Sequence, residues 1–126
     1  MFRLACVLLL IFLIVPSASN AEEGGTFISA SYLYQMCSRN QDGTEKVKGA
    51  HTACQAYISG VIDYHNLLRS LKTAPSVDIC VPNTTPLTEL QDIVWTYLHV
   101  NGQHDAFAAA PAVTLALSTK YPCPKK

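Results

Sequence analysis

The sequence predicts an all-α protein: a small domain of four helices, or slightly more, stapled by two disulfides. Three observations lead to this prediction. Apolar residues recur three and four positions apart along several segments, which is the spacing of one helix face. Turn-forming residues separate these segments. Four cysteines lie close to the ends of the segments: Cys37, Cys54, Cys80 and Cys123.

The first two helices are predicted on either side of a polar turn. Residues 27–37 carry apolar side chains at helical spacing, and residues 38–44, which contain Asp42-Gly43, form the turn. In the second helix an unbroken stripe is expected to face the core: Val47, Ala50, Cys54, Tyr57, Val61, Tyr64, Leu68 and Leu71. Gly60 costs about 1 kcal/mol inside this helix. It is either tolerated there or allows a neighbouring helix to approach closely.

The third and fourth helices follow a loop over residues 73–83. Thr85-Pro86 predicts the start of the third helix, with threonine as the cap and proline in the first turn. The segment Asn101-Gly102-Gln103 breaks this helix, and Gly102 allows the backbone there to adopt positive φ and approach a partner closely. The fourth helix is predicted over residues 105–120, and Pro111 either starts its main segment or kinks it. Its small face, residues 108–110, suits tight packing against another helix.

The four cysteines fit this layout as two pairs. Cys37 ends the first helix and Cys54 lies early in the second, so an antiparallel hairpin brings them together. Cys80 precedes the third helix and Cys123 follows the fourth. Because the Cα atoms of a disulfide lie about 4.4–6.8 Å apart, we favour Cys37–Cys54 and Cys80–Cys123. The sequence leaves the other two connectivities open.

An export signal is predicted over residues 1–21. Arg3 precedes an apolar run over residues 4–15, which is too short to span a bilayer as a helix, and Ser19 and Ala21 suit cleavage after Ala21. Cleavage removes Cys6 and leaves an even set of cysteines in an oxidising compartment. We expect residues 22–126 to form a single helical domain in the periplasm, without a membrane anchor.

The composition of the mature chain excludes several functions. Eight basic residues against nine acidic ones give no reason to expect nucleic acid or an anionic membrane as a partner. The sequence has no glycine-rich phosphate loop, serine-hydrolase elbow or zinc-protease motif. His51 and Cys54 could form a dyad or half a zinc site, but a disulfide beside a surface histidine is the simpler interpretation. We therefore expect no enzymatic activity, no metal and no cofactor.

Four blocks in order resemble the Rap/Tai family of type VI secretion immunity proteins. They are Cys54-Gln55-Ala56-Tyr57-Ile58-Ser59-Gly60, Cys80-Val81-Pro82 with Thr85 and Leu90, Val94-Trp95-Thr96-Tyr97-Leu98, and the stretch from Ala110-Pro111-Ala112 to Tyr121-Pro122-Cys123. The resemblance covers residues 37–123, nearly the whole mature chain. The family often has a His-Pro-Glu-like turn where this chain has His99-Val100-Asn101-Gly102-Gln103.

The resemblance implies a small helical periplasmic protein, often a homodimer, that binds and blocks a secreted peptidoglycan amidase. Such amidases are papain-like, with a cysteine–histidine active site. The alternative function is an acid-stress chaperone of the HdeA type, or another exported helical binding protein. Acid chaperones usually rely on dense charge, whereas only 14% of the residues in the full 126-residue sequence are charged.

Partner-binding residues are expected around the end of the third helix. Trp95 points away from the apolar stripe, so it is either an exposed contact residue or a rim residue packed under a loop. Residues 73–78 and 99–105 are both long and polar enough to protrude. We favour the second loop, and the residues predicted to bind the partner are Trp95, His99, Asn101, Gly102 and Gln103.

Overall fold

Four helices account for most of the 98 residues, 27–124, that the computed structural model describes: α1 (Ala30–Cys37), α2 (Ala50–Ser70), α3 (Leu87–Val100) and α4 (Ala109–Lys120). A short 3-10 helix, Gly102–His104, lies between α3 and α4. The described residues contain isolated bridges but no strand. The all-α prediction is therefore confirmed, whereas the export signal over residues 1–21 lies outside the described residues.

The start of α1 is set by a serine cap rather than by the first apolar residue. The Ser29 hydroxyl accepts a hydrogen bond from the Tyr32 amide at 3.2 Å, which satisfies one free amide of the first turn. The predicted start at residue 27 was therefore too early. Phe27 precedes the cap and is fully exposed.

The amides at the amino end of α2 are capped by the side chain of Glu45, which precedes the helix. The Glu45 carboxylate accepts hydrogen bonds from the Gly49 amide at 2.7 Å and the His51 amide at 3.1 Å. These bonds to the charged form hold the pKa of Glu45 below its usual value. Gly49 itself has φ 84°, a conformation that favours glycine.

The stripe predicted to face the core from α2 is only partly right. Ala50 and Cys54 are buried as expected, and Ile58 and His65 are buried with them. Val47, Tyr64 and Leu71 are each more than 60% exposed. The apolar surface of α2 is wider than the surface that the other three helices cover.

The predicted starts of α3 and α4 also need correction. Pro86, with extended ψ 140°, is the capping residue of α3, and no side chain caps the helix there; Thr85 is not the cap. Helix α4 begins at Ala109 rather than at residue 105, because residues 105–108 continue from the 3-10 helix as a turn. Pro111 lies in the first turn of α4, where its missing N–H is not needed.

Every pair of helices is in contact, and one core lies between them. The alanine-rich face of α4 enters this core through Ala109, Ala112 and Ala116, all 0% exposed. Both favoured disulfides are present: the Cα atoms of Cys37 and Cys54 are 5.2 Å apart, and those of Cys80 and Cys123 are 4.9 Å apart. None of the described helices is both long and apolar enough to cross a membrane.

Candidate partner-binding site

A buried amide network lies beneath the carboxyl end of α1. Gln91 of α3 is only 1% exposed, and its Nε2 donates to the Cys37 carbonyl at 3.0 Å. Its Oε1 accepts from Gln55 Nε2 of α2 at 2.8 Å. A buried amide is costly unless it is paired. These bonds therefore fix α2 and α3 against the end of α1 beside the Cys37–Cys54 disulfide.

Trp95 is attached to the same corner by its ring nitrogen. Its indole N–H donates to the Ser38 hydroxyl at 3.1 Å, and that hydroxyl donates to the Tyr34 carbonyl at 2.7 Å. Ser38 is only 3% exposed. His51 Nε2 lies 3.1 Å from the Ser38 carbonyl on the other side. Trp95 is therefore half-buried and held in place by its own chain rather than freely exposed.

Three rings stack on the outer side of this corner, and we call Tyr34, Trp95 and His99 the aromatic face. The Trp95 and His99 rings have centroids 5.3 Å apart and planes 11° apart. Tyr34 stacks on Trp95 at 6.1 Å and on His99 at 6.0 Å. The Tyr34 hydroxyl lies 3.0 Å from His99 Nδ1. Stacked pairs at these separations stabilise by about 0.5–1.5 kcal/mol each beyond area burial.

The turn between α3 and α4, residues 101–108, begins with a self-capped helix end. Asn101 Nδ2 donates to the Tyr97 carbonyl at 2.7 Å, and Gln103 Nε2 donates to Asn101 Oδ1 at 3.2 Å. The turn is tied to α1 by the Ser31 amide, which donates to the Asp105 carbonyl at 3.1 Å, and by the Ala30 amide, which donates to the Phe107 carbonyl at 2.8 Å. The turn is consequently ordered before any partner binds.

Exposed apolar side chains flank the tip of this turn. Val100 is 69% exposed on one side, and Phe107 is 52% exposed on the other. Phe107 stacks on His104 with centroids 4.9 Å apart, and His104 Nδ1 lies 3.2 Å from the Tyr97 hydroxyl. Partial burial raises the pKa of Tyr97. The tip thus offers apolar surface around the polar groups of Gln103 and the backbone at Gly102.

The structure brings the predicted residues together in two groups. Trp95 and His99 belong to the aromatic face, whereas Asn101, Gly102 and Gln103 lie on the turn that follows. Gly102 does not use the positive φ that glycine allows: residues 102–104 form a right-handed 3-10 turn, and only Gly43 and Gly49 have positive φ among the described glycines. Sequence reasoning missed Tyr34 and Phe107 as site residues. Phe107 had a signal, as a lone aromatic between polar and alanine segments.

The second candidate loop, residues 73–78, is fastened at its end. The Asp78 carboxylate lies 2.7 Å from Nε2 of buried His65 and 3.3 Å from Nε of Arg69. His65 Nε2 cannot both donate to Asp78 and accept from the Ile79 amide at 3.2 Å. The shorter contact to an anion favours a protonated Nε2 that donates to Asp78. This hydrogen bond, chiefly, holds the pKa of Asp78 below its usual value, although the carboxylate is about a third exposed.

Side chains suited to chemistry are scattered or already bonded. Cys54 is oxidised to Cys37, which removes it as a nucleophile beside His51. Within residues 27–124, no three histidine, cysteine or acidic side chains gather closely enough to hold a metal ion. The candidate site that the described residues form is a stacked aromatic face that leads into an exposed turn.

A protein-family model matches most of the chain. The family model of Rap1a immunity proteins matches residues 29–123, from the cap of α1 to the last cysteine. No curated protein and no solved structure matches the chain. The matched span includes all four helices, both disulfides, the aromatic face and the turn. Because the match covers most of the chain, the protein belongs to the family of Rap1a immunity proteins.

Proposed function

We propose that this immunity protein binds and blocks a peptidoglycan amidase effector of a type VI secretion system. The amidase would be papain-like, with a cysteine–histidine active site in an open cleft. Membership of the Rap1a immunity family supports an immunity role over the acid-stress chaperone. The observation that supports the mode of binding is the exposed turn after α3, which is fixed in shape by its bonds to α1.

The proposed mechanism is obstruction of the amidase cleft. The tip of the turn enters the cleft, where Gln103 and the backbone at Gly102 hydrogen-bond near the catalytic pair. Val100 and Phe107 cover the apolar walls of the cleft, and the aromatic face forms the base of the contact. A pre-ordered turn loses little conformational entropy on binding, which favours high affinity.

The proposal includes a compartment and an assembly state. Residues 1–21 would direct export and be removed, so that the mature chain starts at Glu22 in the periplasm. Its disulfides suit such an oxidising compartment. The mature protein would act as a homodimer. Amino-terminal sequencing of the protein recovered from the periplasm should begin at Glu22, and a sequence beginning at Met1 would contradict the cleavage.

The binding test is a titration of the cognate amidase with wild type and a Gly102→Arg variant. A side chain fits at Gly102 within the free protein, because its φ is not positive and the nearest atom to an added Cβ is Asp105 Oδ2 at 4.0 Å. In the complex the long side chain would separate the tip from the cleft. We expect a loss of at least about 2 kcal/mol, roughly thirtyfold in affinity, with unchanged folding.

The matched control is Thr73→Arg in the other candidate loop, where Thr73 is exposed. It should bind and inhibit the amidase as the wild type does. If Thr73→Arg weakens binding and Gly102→Arg does not, the inhibiting loop is residues 73–78. If both variants inhibit normally, the amidase is bound by neither loop and obstruction by a protruding loop is excluded.

A further inference from the structure

A histidine stands on each side of Gly102 in the turn after α3, and a tyrosine bonds to each imidazole ring. His99 Nδ1 lies 3.0 Å from the hydroxyl of Tyr34, which belongs to α1. His104 Nδ1 lies 3.2 Å from the hydroxyl of Tyr97, which belongs to α3. The tyrosines come from different helices, yet the same ring nitrogen is bonded in both pairs. This repetition within one short segment indicates a shared role for the two histidines.

The bonding proton of each pair belongs to the tyrosine oxygen. A phenol O–H is a much stronger acid than the N–H of a neutral imidazole, so the hydroxyl donates and Nδ1 accepts. A neutral imidazole carries a proton on only one of its two nitrogens. The tyrosine bond therefore places the ring proton of His99 and of His104 on Nε2.

Both Nε2–H groups are open to a partner. Residues 27–124 contribute no hydrogen bond to Nε2 of either histidine, since the bonds of both rings run through Nδ1. The His99 side chain is exposed, and that of His104 is half-buried. Within the same residues, no side-chain nitrogen or oxygen is buried without a hydrogen-bond partner. Water therefore reaches Nε2 of His104 as well as that of His99.

Stacking alone does not explain why these two rings are imidazoles. The His99 and Trp95 planes are 11° apart, and the His104 and Phe107 planes are 15° apart. A phenylalanine at either position could stack in the same way. The imidazole adds two nitrogens, one bonded to tyrosine and one open. A stacked neighbour and a tyrosine bond together fix the direction of the open N–H, which lowers the entropy cost of ordering it on binding.

We propose that His99 and His104 are oriented hydrogen-bond donors that bind carbonyl oxygens of the amidase, and that Tyr34 and Tyr97 are their positioning residues. This inference rests on the proposed function and deepens it, because it names the chemical groups that the turn recognises. A partner that presented its own donors at these two points would leave them unpaired and would bind less well.

The charge of the turn selects the kind of acceptor. Residues 94–108 contain one acidic residue, Asp105, and no lysine or arginine. A carboxylate of the partner would approach this like charge, which is unfavourable. A carbonyl group carries no net charge and offers two lone pairs to a donor. Carbonyl oxygens are therefore the acceptors that suit the two imidazoles.

The first test uses the free protein. Nitrogen-15 NMR of the histidine side chains at about pH 8 should show Nε2 protonated and Nδ1 unprotonated in both His99 and His104. Tyr34→Phe should shift the Nδ1 resonance of His99 and leave that of His104 unchanged, and Tyr97→Phe should do the reverse. A proton on Nδ1 of either ring in the wild type would overturn the inference.

The second test is titration of the cognate amidase. His99→Phe and His104→Phe keep a stacking ring but lose the donor, and each should weaken binding roughly fivefold. His99→Gln and His104→Gln place an amide N–H near the position of Nε2 and should recover part of this loss. The matched control is Tyr121→Phe, which removes a hydroxyl that donates to Glu89 at 2.7 Å in the first turn of α3. It should bind the amidase as the wild type does.

The outcomes separate this inference from the proposed function. If both phenylalanine variants bind normally while Gly102→Arg loses binding, the inference is overturned and the proposed function stands. Normal binding by Gly102→Arg as well would contradict the proposed function itself. The loss caused by His99→Phe should be equal at low and high ionic strength, because a carbonyl acceptor is uncharged. A loss seen only at low ionic strength would identify a carboxylate and overturn the carbonyl assignment.

Discussion

The aromatic face lies on α1 and α3, whereas an apolar groove lies between α2 and α4, lined among others by Tyr57, Val61 and Leu115. The two surfaces differ in how far their side chains are bonded within the chain. Each ring of the aromatic face is fixed by bonds within the chain: Trp95 to Ser38, and Tyr34 to His99. Beside the groove, Tyr64, Leu67 and Leu71 of α2 are more than half exposed, and a Cβ added at Gly60 would meet no atom within 4 Å. The polar groups of the first surface are bonded within one chain. The second becomes buried only when something covers it.

Removing a disulfide should have the largest effect on the free energy of unfolding. The two disulfides should differ in their effect on the aromatic face. Replacing Cys80 and Cys123 by serine opens a 43-residue loop and should cost about 4 kcal/mol, against about 3 kcal/mol for the 17-residue loop of Cys37 and Cys54. Only the Cys37–Cys54 pair adjoins Ser38, whose hydroxyl accepts a hydrogen bond from Trp95, the single tryptophan of the chain. Fluorescence of the folded state should therefore change for the Cys37/Cys54 variant alone. Equal changes in both variants would show that the aromatic face is not a local unit.

Breaking the indole bond should have the next largest effect. Trp95→Phe keeps a stacking ring but loses the N–H donor to buried Ser38, and Ser38→Ala removes the acceptor. In urea titrations Trp95→Phe should lower the free energy of unfolding by about 1 kcal/mol, and Ser38→Ala by about 2 kcal/mol, because it also removes the hydrogen bond to the Tyr34 carbonyl. The double variant should cost clearly less than the sum, because the partners share one bond. The control is Tyr64→Phe, at an exposed tyrosine of α2. A cost comparable to that of Trp95→Phe would contradict the view that the aromatic face alone is fixed by bonds within the chain.

A smaller effect on the free energy of unfolding should appear at acid pH, and it comes from Asp78 at the end of the loop over residues 73–78. Asp78 has a folded-state pKa below its ordinary 3.8, so its contribution to stability is complete above that value and is lost as the pH falls through the lower folded pKa. The difference in unfolding free energy between wild type and Asp78→Asn should therefore shrink as the pH falls below the ordinary value of 3.8. A difference that stays constant as the pH falls would exclude the charged form as the source. Partial exposure of the carboxylate keeps the effect modest.

The smallest effect is expected at the tip of the turn. Gly102→Ala should change the free energy of unfolding by less than about 0.5 kcal/mol, because the position is right-handed and open. Gly43→Ala, at φ 84°, should cost about 1 kcal/mol in the same thermal or urea unfolding experiment. A larger cost at Gly102 would mean that the tip strains under substitution, and Gly102→Arg could not then be used to test amidase binding.

Helix number and disulfide pairing followed from the sequence because both depend on local pattern. Apolar spacing marked each helix, and cysteines near adjacent helix ends had one favoured pairing. Helix starts were less accurate, because caps come from outside the first turn: Glu45 reaches forward to Gly49 and His51. Periodicity also could not tell which apolar residues of α2 would be covered. Tyr64 was assigned to the core and is exposed, while His65 is buried because Asp78 satisfies it.

The candidate site was predicted only where its members are close in sequence. Trp95 and His99 are one helical turn apart, so they share a surface by periodicity alone. Tyr34 completes the same stack from 65 residues away, and no local signal connects it to His99. The ordering of the turn by α1 has the same origin, since residues 30 and 31 supply the amides that hold it. Such contacts depend on tertiary packing, which a single sequence does not specify.

The order of the two disulfides along the chain has a consequence for how the protein acquires them. Cys37 pairs with the next cysteine, Cys54, and Cys80 pairs with the next, Cys123, so neither bond encloses or crosses the other. Among the four described cysteines, an oxidising catalyst that joins Cys37 with Cys54 and then Cys80 with Cys123 as they emerge makes the native bonds directly. Oxidation in this order needs no step of disulfide exchange, whereas either alternative connectivity would require a cysteine to stay reduced until a more distant partner is available.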